Sequence, residues 1–310
     1  MNSRSHRKFL ASFHYSSAPP PAWTVLIGAT ALANETSGLG LSATGNSGIL
    51  GLAFPAEAAI PDTTGRTLAE NLFSGLTDDA NRYFAFRLGR DDASSSFTVG
   101  ELDPAFANST DELTFHSVFP TDGTLYDYWK LPFQSLTING TVFELSRSRF
   151  KGADAPIAVL DTGTTLILGP SKDVARFWES VGGARETSRG WEVPCNRAVA
   201  VGMVLGGGDN HHEYAIDPAD ISWTEGSVET GTWCLGGVQA NDGVRPFTSI
   251  VPCPSSGSDF RYYAFAHATF VLRVSPQVFS ADWLLGDTFL RVRAYVPAGR
   301  VEPMRRRKGR

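Results

Sequence analysis

Residues 157–170 read IAVLDTGTTLILGP. A short apolar run delivers Asp161 into a Thr-Gly-Thr turn, and a second apolar run leads away to Gly169-Pro170. That arrangement puts a carboxylate on a tight junction between two greasy strands. Gly163 permits close backbone approach, and Thr162 and Thr164 supply hydroxyls able to fix the carboxylate or the turn. An Asx-type turn between ordinary strands would use the same residue types, so the triplet alone does not separate a catalytic group from a structural one. The surroundings make that distinction.

The composition sets the frame. Gly (31) and Pro (18) are plentiful and charged residues are only 19%. Many short apolar runs end in turn residues, which points to an all-β chain. With 310 residues, 42% of them hydrophobic, there is enough apolar surface for one large core or two moderate ones. A formal net charge of −5 argues against nucleic-acid binding, which needs a basic excess. The exception is RRRKGR at 305–310, which reads as a solvated, disordered tail.

No apolar run approaches the roughly 20 residues that span a bilayer. Arg4, Arg7 and Lys8 precede WTVLIGATALA (23–33) in the manner of a signal peptide, yet APPP (18–21) and the start at Trp23-Thr24-Val25 suit a strand better. Cys195, Cys234 and Cys253 are too few for a disulfide scaffold and lack metal-ligand spacing, leaving one bridge and one spare thiol. Asn34, Asn108 and Asn139 head sequons open to glycosylation if the chain enters the secretory route.

From about residue 83 the chain reads as successive strands: YFAFRLG, SSFTVGEL, DELTFHSV, YDYWKLPFQSLTING and TVFELS. Most alternate apolar with polar residues. Two helices interrupt them. Within 171–182, Val174, Phe177, Trp178 and Val181 recur at i, i+3, i+4, i+7, with Ser171 as N-cap and Gly182-Gly183 as the stop. A weaker helix over about 66–77 carries Leu68, Leu72, Phe73 and Leu76 on one side. Residues 241–280 fit neither period and read as an insertion.

Apolar-apolar-Gly triplets recur as Ile49-Leu50-Gly51 and Leu284-Leu285-Gly286, one of them far downstream of Asp161. Together GILGLAFP, YFAFRLG with FTVGELD, YDYWKLPFQSLTING, VLDTGTTLILGP, WEVPC, TWCLGGVQ and WLLGDTFLR resemble the pepsin-like aspartic peptidases, in family order over about 24–240 and 281–296. The resemblance implies a bilobal all-β acid-protease fold. Its N-terminal lobe is truncated to 24–118 after an irregular 1–23. Its C-terminal lobe, 119–296, holds the insertion, and a basic tail follows at 297–310.

By that resemblance Asp161 is the second catalytic aspartate and Thr162 grips the opposite lobe beneath the active site. Gly163, Thr164 and Thr165 line the site, the Thr164 hydroxyl bonded to the carboxylate and Thr165 close to bound peptide. Gly51 and Gly286 complete the looped sheets that hold each aspartate. Cys195 and Cys234 form the C-terminal lobe disulfide, leaving Cys253 without a counterpart. The implied activity is endopeptidase hydrolysis of polypeptides in acid by a monomer of the secretory route, extracellular or vacuolar, with no cofactor, metal, nucleic acid or membrane span.

The mechanism exposes a gap. Two carboxylates share one proton because like charges about 3 Å apart cannot both ionise. One acts as base on water while the other donates to the peptide carbonyl. No second Asp-Thr/Ser-Gly stands in this sequence; Pro61-Asp-Thr-Thr-Gly65 has an extra residue and lies after GILGL. Asp161 precedes Gly286 by 125 residues, or 85 without the insertion, whereas 50 residues precede Gly51. The first aspartate and the flap are thus expected upstream of Met1. A late start codon, a retained intron and a shifted frame would account for the beginning, the insertion and the tail. The alternative reading is a catalytically inactive remnant or peptide-binding pseudoenzyme. A retroviral-type pairing of two chains is disfavoured by the asymmetric truncation.

Other patterns carry less. Gly38-Leu-Gly40-Leu-Ser-Ala43 lacks the helix and βαβ unit of a dinucleotide site, and His211-His212-Glu213 reads as a polar loop, since adjacent residues on an extended segment face opposite ways. No G-x-S-x-G elbow occurs.

Overall fold

The computed structural model describes residues 50–54, 67–76, 82–89, 95–104, 107, 109, 113–121, 125–150, 152–223, 233–242 and 281–291. Strands dominate, as the turn-punctuated sequence predicts. The upstream part holds helix α1 (Leu68–Ser74) and the antiparallel pair β1 (Phe84–Arg87) and β2 (Ser96–Val99). Thr67 and Glu70 cap α1 reciprocally, each side chain meeting the other's backbone N–H. Phe73 stacks on Phe84, and Trp129 meets Phe84 edge-on with ring centroids 5.5 Å apart. The Trp129 indole N–H donates to the Leu52 carbonyl at 2.9 Å, tying residues 50–54 to the downstream part.

The main body begins with β3 (Lys130–Ile138), β4 (Thr141–Phe143), β5 (Ile157–Leu160) and β6 (Ile167–Gly169), followed by helix α2 (Ser171–Val181). The strands β7 (Arg185–Thr187), β8 (Gly190–Pro194), β9 (Val201–Gly207) and β10 (Asn210–Ile216) come next, then the short helix α3 (Pro218–Ile221). β11 (Ser222–Trp223), β12 (Trp233–Gly236), β13 (Val238–Ala240), β14 (Trp283–Leu285) and a final turn of helix, α4 (Asp287–Leu290), complete it. One sheet runs β10-β9-β3-β5-β14-β6-β13 with β4 beside β3, and a second runs β11-β12-β8-β7. The Cys195–Cys234 disulfide joins the end of β8 to β12, as the resemblance implies.

The apolar runs on either side of Asp161 now have a physical reason. β14 inserts between β5 and β6, parallel to the first and antiparallel to the second. A strand flanked on both edges and covered on both faces has no polar side to show. Accordingly Ile157, Ala158, Val159, Ile167, Leu168, Trp283, Leu284 and Leu285 are all buried. At Gly169 the Trp283 ring fills the place of a side chain.

Helix α2 buries Val174, Phe177, Trp178 and Val181 on the face its sequence period defines. Its cap differs from expectation. Ser171 is the first helical residue, not the N-cap, and its N–H and hydroxyl both reach the Asp242 carboxylate. An acceptor 71 residues away in sequence satisfies the orphan amide there.

Two other expectations are corrected. DELTFHSV does not form a strand in its described part, 113–118; it runs as an irregular strap. His211-His212-Glu213 is not a loop but the middle of β10, which forms one edge of the large sheet. Of the proposed insertion, residues 243–280 lie outside the described residues, as do Gly38–Ala43, Pro61–Gly65, Asn34, Asn108, Cys253, the 1–23 segment and the basic tail. Both flanks of that insertion are firmly held. The Asn241 amide donates to the Gly169 carbonyl, and the buried Asp282 carboxylate accepts from Ser148 Oγ, Arg149 Nε and the Ile157 amide. The remaining sequon, Asn139, sits with φ 51° in the exposed Asn-Gly turn between β3 and β4. No helix among the described residues is long and apolar enough to cross a membrane.

Candidate active site

Asp161 emerges where β5 ends. Its amide donates to the Leu285 carbonyl at 3.1 Å, continuing the β5–β14 ladder by one residue. The chain then turns back over the end of β14. Asp161 Oδ1 accepts from the Gly163 amide at 2.9 Å and Oδ2 accepts from Thr164 Oγ1 at 2.6 Å. Each carboxylate oxygen is therefore fixed by one donor from its own turn, with lone pairs left over on both. The group is half-buried and rigidly aimed, the condition for acting on a bound molecule rather than plugging a core.

The loop itself is clamped from α4. The Gly286 amide donates to the Leu166 carbonyl (3.2 Å), Asp287 N–H to Thr164 (2.8 Å) and Thr288 N–H to Thr165 (2.9 Å), with Thr288 Oγ1 adding a second bond to Thr165 (3.1 Å). The amides at the start of this helix turn are matched one by one to the carbonyls of the aspartate loop. Gly286 is required for that approach. A Cβ there would collide with the Thr164 carbonyl oxygen and lie 2.6 Å from that of Leu166.

Of the residues the sequence singles out, the structure brings together Asp161, Gly163, Thr164, Thr165 and Gly286. Thr162 and Gly163 are exposed at the turn, and no hydrogen bond of the Thr162 side chain occurs among the described residues. Gly51 is exposed among the described residues, and the segment against which it would complete a looped sheet lies outside them. No group of three or more His, Cys, Asp or Glu that could hold a metal occurs among the described residues.

Asp287 is a site residue that the sequence reading missed. Burial pushes its carboxyl up to about 6, the nearby Asp161 charge adds to the rise, and Arg291 opposes it. A signal was present: the residue follows Gly286, so its backbone must touch the aspartate loop, and apolar LL and FL on either side force it inward. Below that value Asp287 is neutral and adds no charge beside Asp161; above it, two like charges face each other.

The linkage has a definite sign. A carboxyl raised above its ordinary value of 3.8 favours the folded state below about pH 4, and that contribution is lost as pH rises through about 6. The loss amounts to on the order of 2–3 kcal/mol. Asp287→Asn is expected to flatten the fall in denaturation midpoint between about pH 4 and pH 7.5. An unchanged slope in urea titrations of the variant would contradict this assignment.

A β-lobe that presents one aspartate on a turn threaded by a Gly-bearing strand is of the acid-protease class. The family model "Eukaryotic aspartyl protease" matches residues 25–248, and the chain belongs to that family. It is similar to Major aspartyl peptidase 1 of Cryptococcus neoformans var. grubii, with 32% identity over 122 residues, 37% of this chain and 24% of that one. It is also similar to cathepsin D of Bos taurus (28% over 201 residues, 63% of this chain and 46% of that one) and to chymosin of Camelus dromedarius (25% over 227 residues, 66% and 53%). The chain thus spans about half or less of the length of these relatives.

Proposed function

We propose that Asp161 is the second-lobe carboxylate of an aspartic endopeptidase that hydrolyses peptide bonds in proteins at acidic pH, and that the 310-residue chain holds one of the two carboxylates the reaction needs. The observation that carries this reading is the double fixation of Asp161 by Gly163 N–H and Thr164 Oγ1 on a loop clamped by α4. A carboxylate so held can take a proton from water or return one to the leaving amine, but not while also donating to the substrate carbonyl. Its partner would have to come from a first lobe bearing Asp-Thr/Ser-Gly. Under this reading Thr162, exposed at the turn, meets that lobe, and Thr165 borders the bound peptide.

The front part of a relative's first lobe, bearing its Asp-Thr/Ser-Gly and flap and fused ahead of residue 24, tests the proposal. The fusion should cleave denatured globin in acid and be blocked by a statine-type inhibitor. A folded, inhibitor-binding fusion without cleavage would count against it. The second reading, an inactive remnant or peptide-binding pseudoenzyme, is favoured by the single Asp-Thr-Gly of the sequence. Under that reading the unfused chain binds a statine-containing peptide and never cleaves. The Cys195–Cys234 disulfide supports synthesis in the secretory route, where such bridges form and persist.

A further inference from the structure

A second group of titratable side chains lies away from Asp161, where the 113–121 strap crosses the edge of the large sheet. His116 Nδ1 is 3.0 Å from the Asn210 carbonyl, and its Nε2 is 2.7 Å from the Tyr214 hydroxyl. Asn210 returns a bond, its Nδ2 donating to the Phe115 carbonyl at 2.7 Å. The imidazole rests over Gly206, which has a φ of 114°; a Cβ built there would collide with the Asn210 carbonyl oxygen and come 2.5 Å from His116 Nδ1. His212 packs edge-on against the same tyrosine, with ring centroids 5.0 Å apart against 5.9 Å for His116. Tyr214 in turn meets Phe289 of α4.

We propose that His116 and His212, closed on Tyr214, form an acid-released latch that holds the strap against β9 and β10. The hydrogen bonds define the closed form. A carbonyl only accepts, so His116 Nδ1 carries the proton toward Asn210, and the bare Nε2 accepts from the Tyr214 O–H. Protonating Nε2 reverses that bond, the hydroxyl turning to accept, and leaves a part-buried imidazolium against the strap with no counter-charge among the described residues.

Among the described residues, the titratable groups that face His116 are His212 and Tyr214, both on β10; β9 offers Gly206, and α4 offers Phe289 behind the tyrosine. Glu213 points to the opposite face and bonds Thr137. Among the described residues, no carboxylate balances an imidazolium at His116. Burial holds its pKa below 6.5, the bond to the Asn210 carbonyl opposes this in part, and His212 adds a smaller push downward.

The sign follows from a lowered base. The latch is at full strength above about pH 6.5 and weakens as pH falls through the window between the unfolded and folded values. The strap lies where the sequence reading divides the two lobes, so acid would loosen their connection in the condition proposed for catalysis. The inference does not depend on that catalysis, because it is read from backbone exchange rather than cleavage.

Hydrogen exchange of the full chain, corrected for intrinsic rate, is compared at about pH 7.5 and pH 4.5. Protection of 113–118 is expected to fall in acid, with no such fall in β3 and β9, where the Asp287 carboxyl acts in the opposite sense. In His116→Gln the strap should show equal protection at both pH values. In His212→Asn, which keeps both bonds of His116, the midpoint of the loss should move to higher pH. The proposal is overturned by constant protection in the parent chain, by loss spread evenly over β3 and β9, or by pH dependence that survives in His116→Gln. Should His116→Gln not fold, an unmoved midpoint in His212→Asn overturns it equally.

Discussion

Asp161→Ala, in the chain completed by a first lobe, is expected to lower the rate of acid proteolysis by on the order of 10³-fold or more. The substitution removes both the proton acceptor and the negative charge that keeps a partner carboxyl protonated. Asp161→Asn separates these from mere shape. It retains the volume, its amide oxygen can still accept from Gly163 N–H and its Nδ2 can donate to the Thr164 hydroxyl, so folding should be preserved while activity falls as steeply. Binding of a statine-type inhibitor, measured beside turnover, distinguishes a dead site from a collapsed one. An Asn variant that keeps more than about a tenth of parental kcat would remove Asp161 from the catalytic role.

Gly286→Ala is expected to be the most damaging single methyl in the described residues near the site. Its backbone, at φ −89° and ψ −158°, is ordinary for any residue, so the argument rests on space alone. The new carbon would press on the Thr164 and Leu166 carbonyl oxygens, both already held by amides of Asp287 and Gly286. Relief requires breaking those two bonds and lifting the aspartate loop off α4. That costs about 3 kcal/mol in stability, from overpacking and from buried backbone groups left unpaired. Equilibrium denaturation checks the figure, and a change below about 0.5 kcal/mol would mean that the loop is not clamped as described.

How much of this could be read in the sequence depended on the range of the interactions involved. The Asp161 turn was legible because its hydrogen bonds span two and three residues, within one quoted motif. The buried face of α2 was legible from its period. Its cap was not, because the acceptor on Asp242 comes from the far side of the sheet connection. The strap at 113–118 alternates like a strand, yet its bonds go to a side chain on β10 and to backbone at Asn210, which alternation does not encode. His211-His212-Glu213 looked like a loop because an edge strand needs little apolar content. Buried Asp127, Asp173 and Asp282 gave no sign at all. Asp282, for one, is matched to Ser148, 134 residues earlier. Fold class and the Asp161 turn were therefore readable, and the electrostatic neighbour Asp287 was missed although its place after Gly286 signalled it.

The claim on which everything rests is that catalysis here is a two-carboxylate reaction of which this polypeptide supplies one member, on the Asp161 loop. The most direct test is to incubate the purified, folded 310-residue chain with denatured globin at acidic pH, with and without a statine-type inhibitor, beside its first-lobe fusion. The account predicts no inhibitor-sensitive cleavage by the chain alone and cleavage by the fusion that disappears with Asp161→Ala. Robust inhibitor-blocked proteolysis by the unfused chain would contradict it.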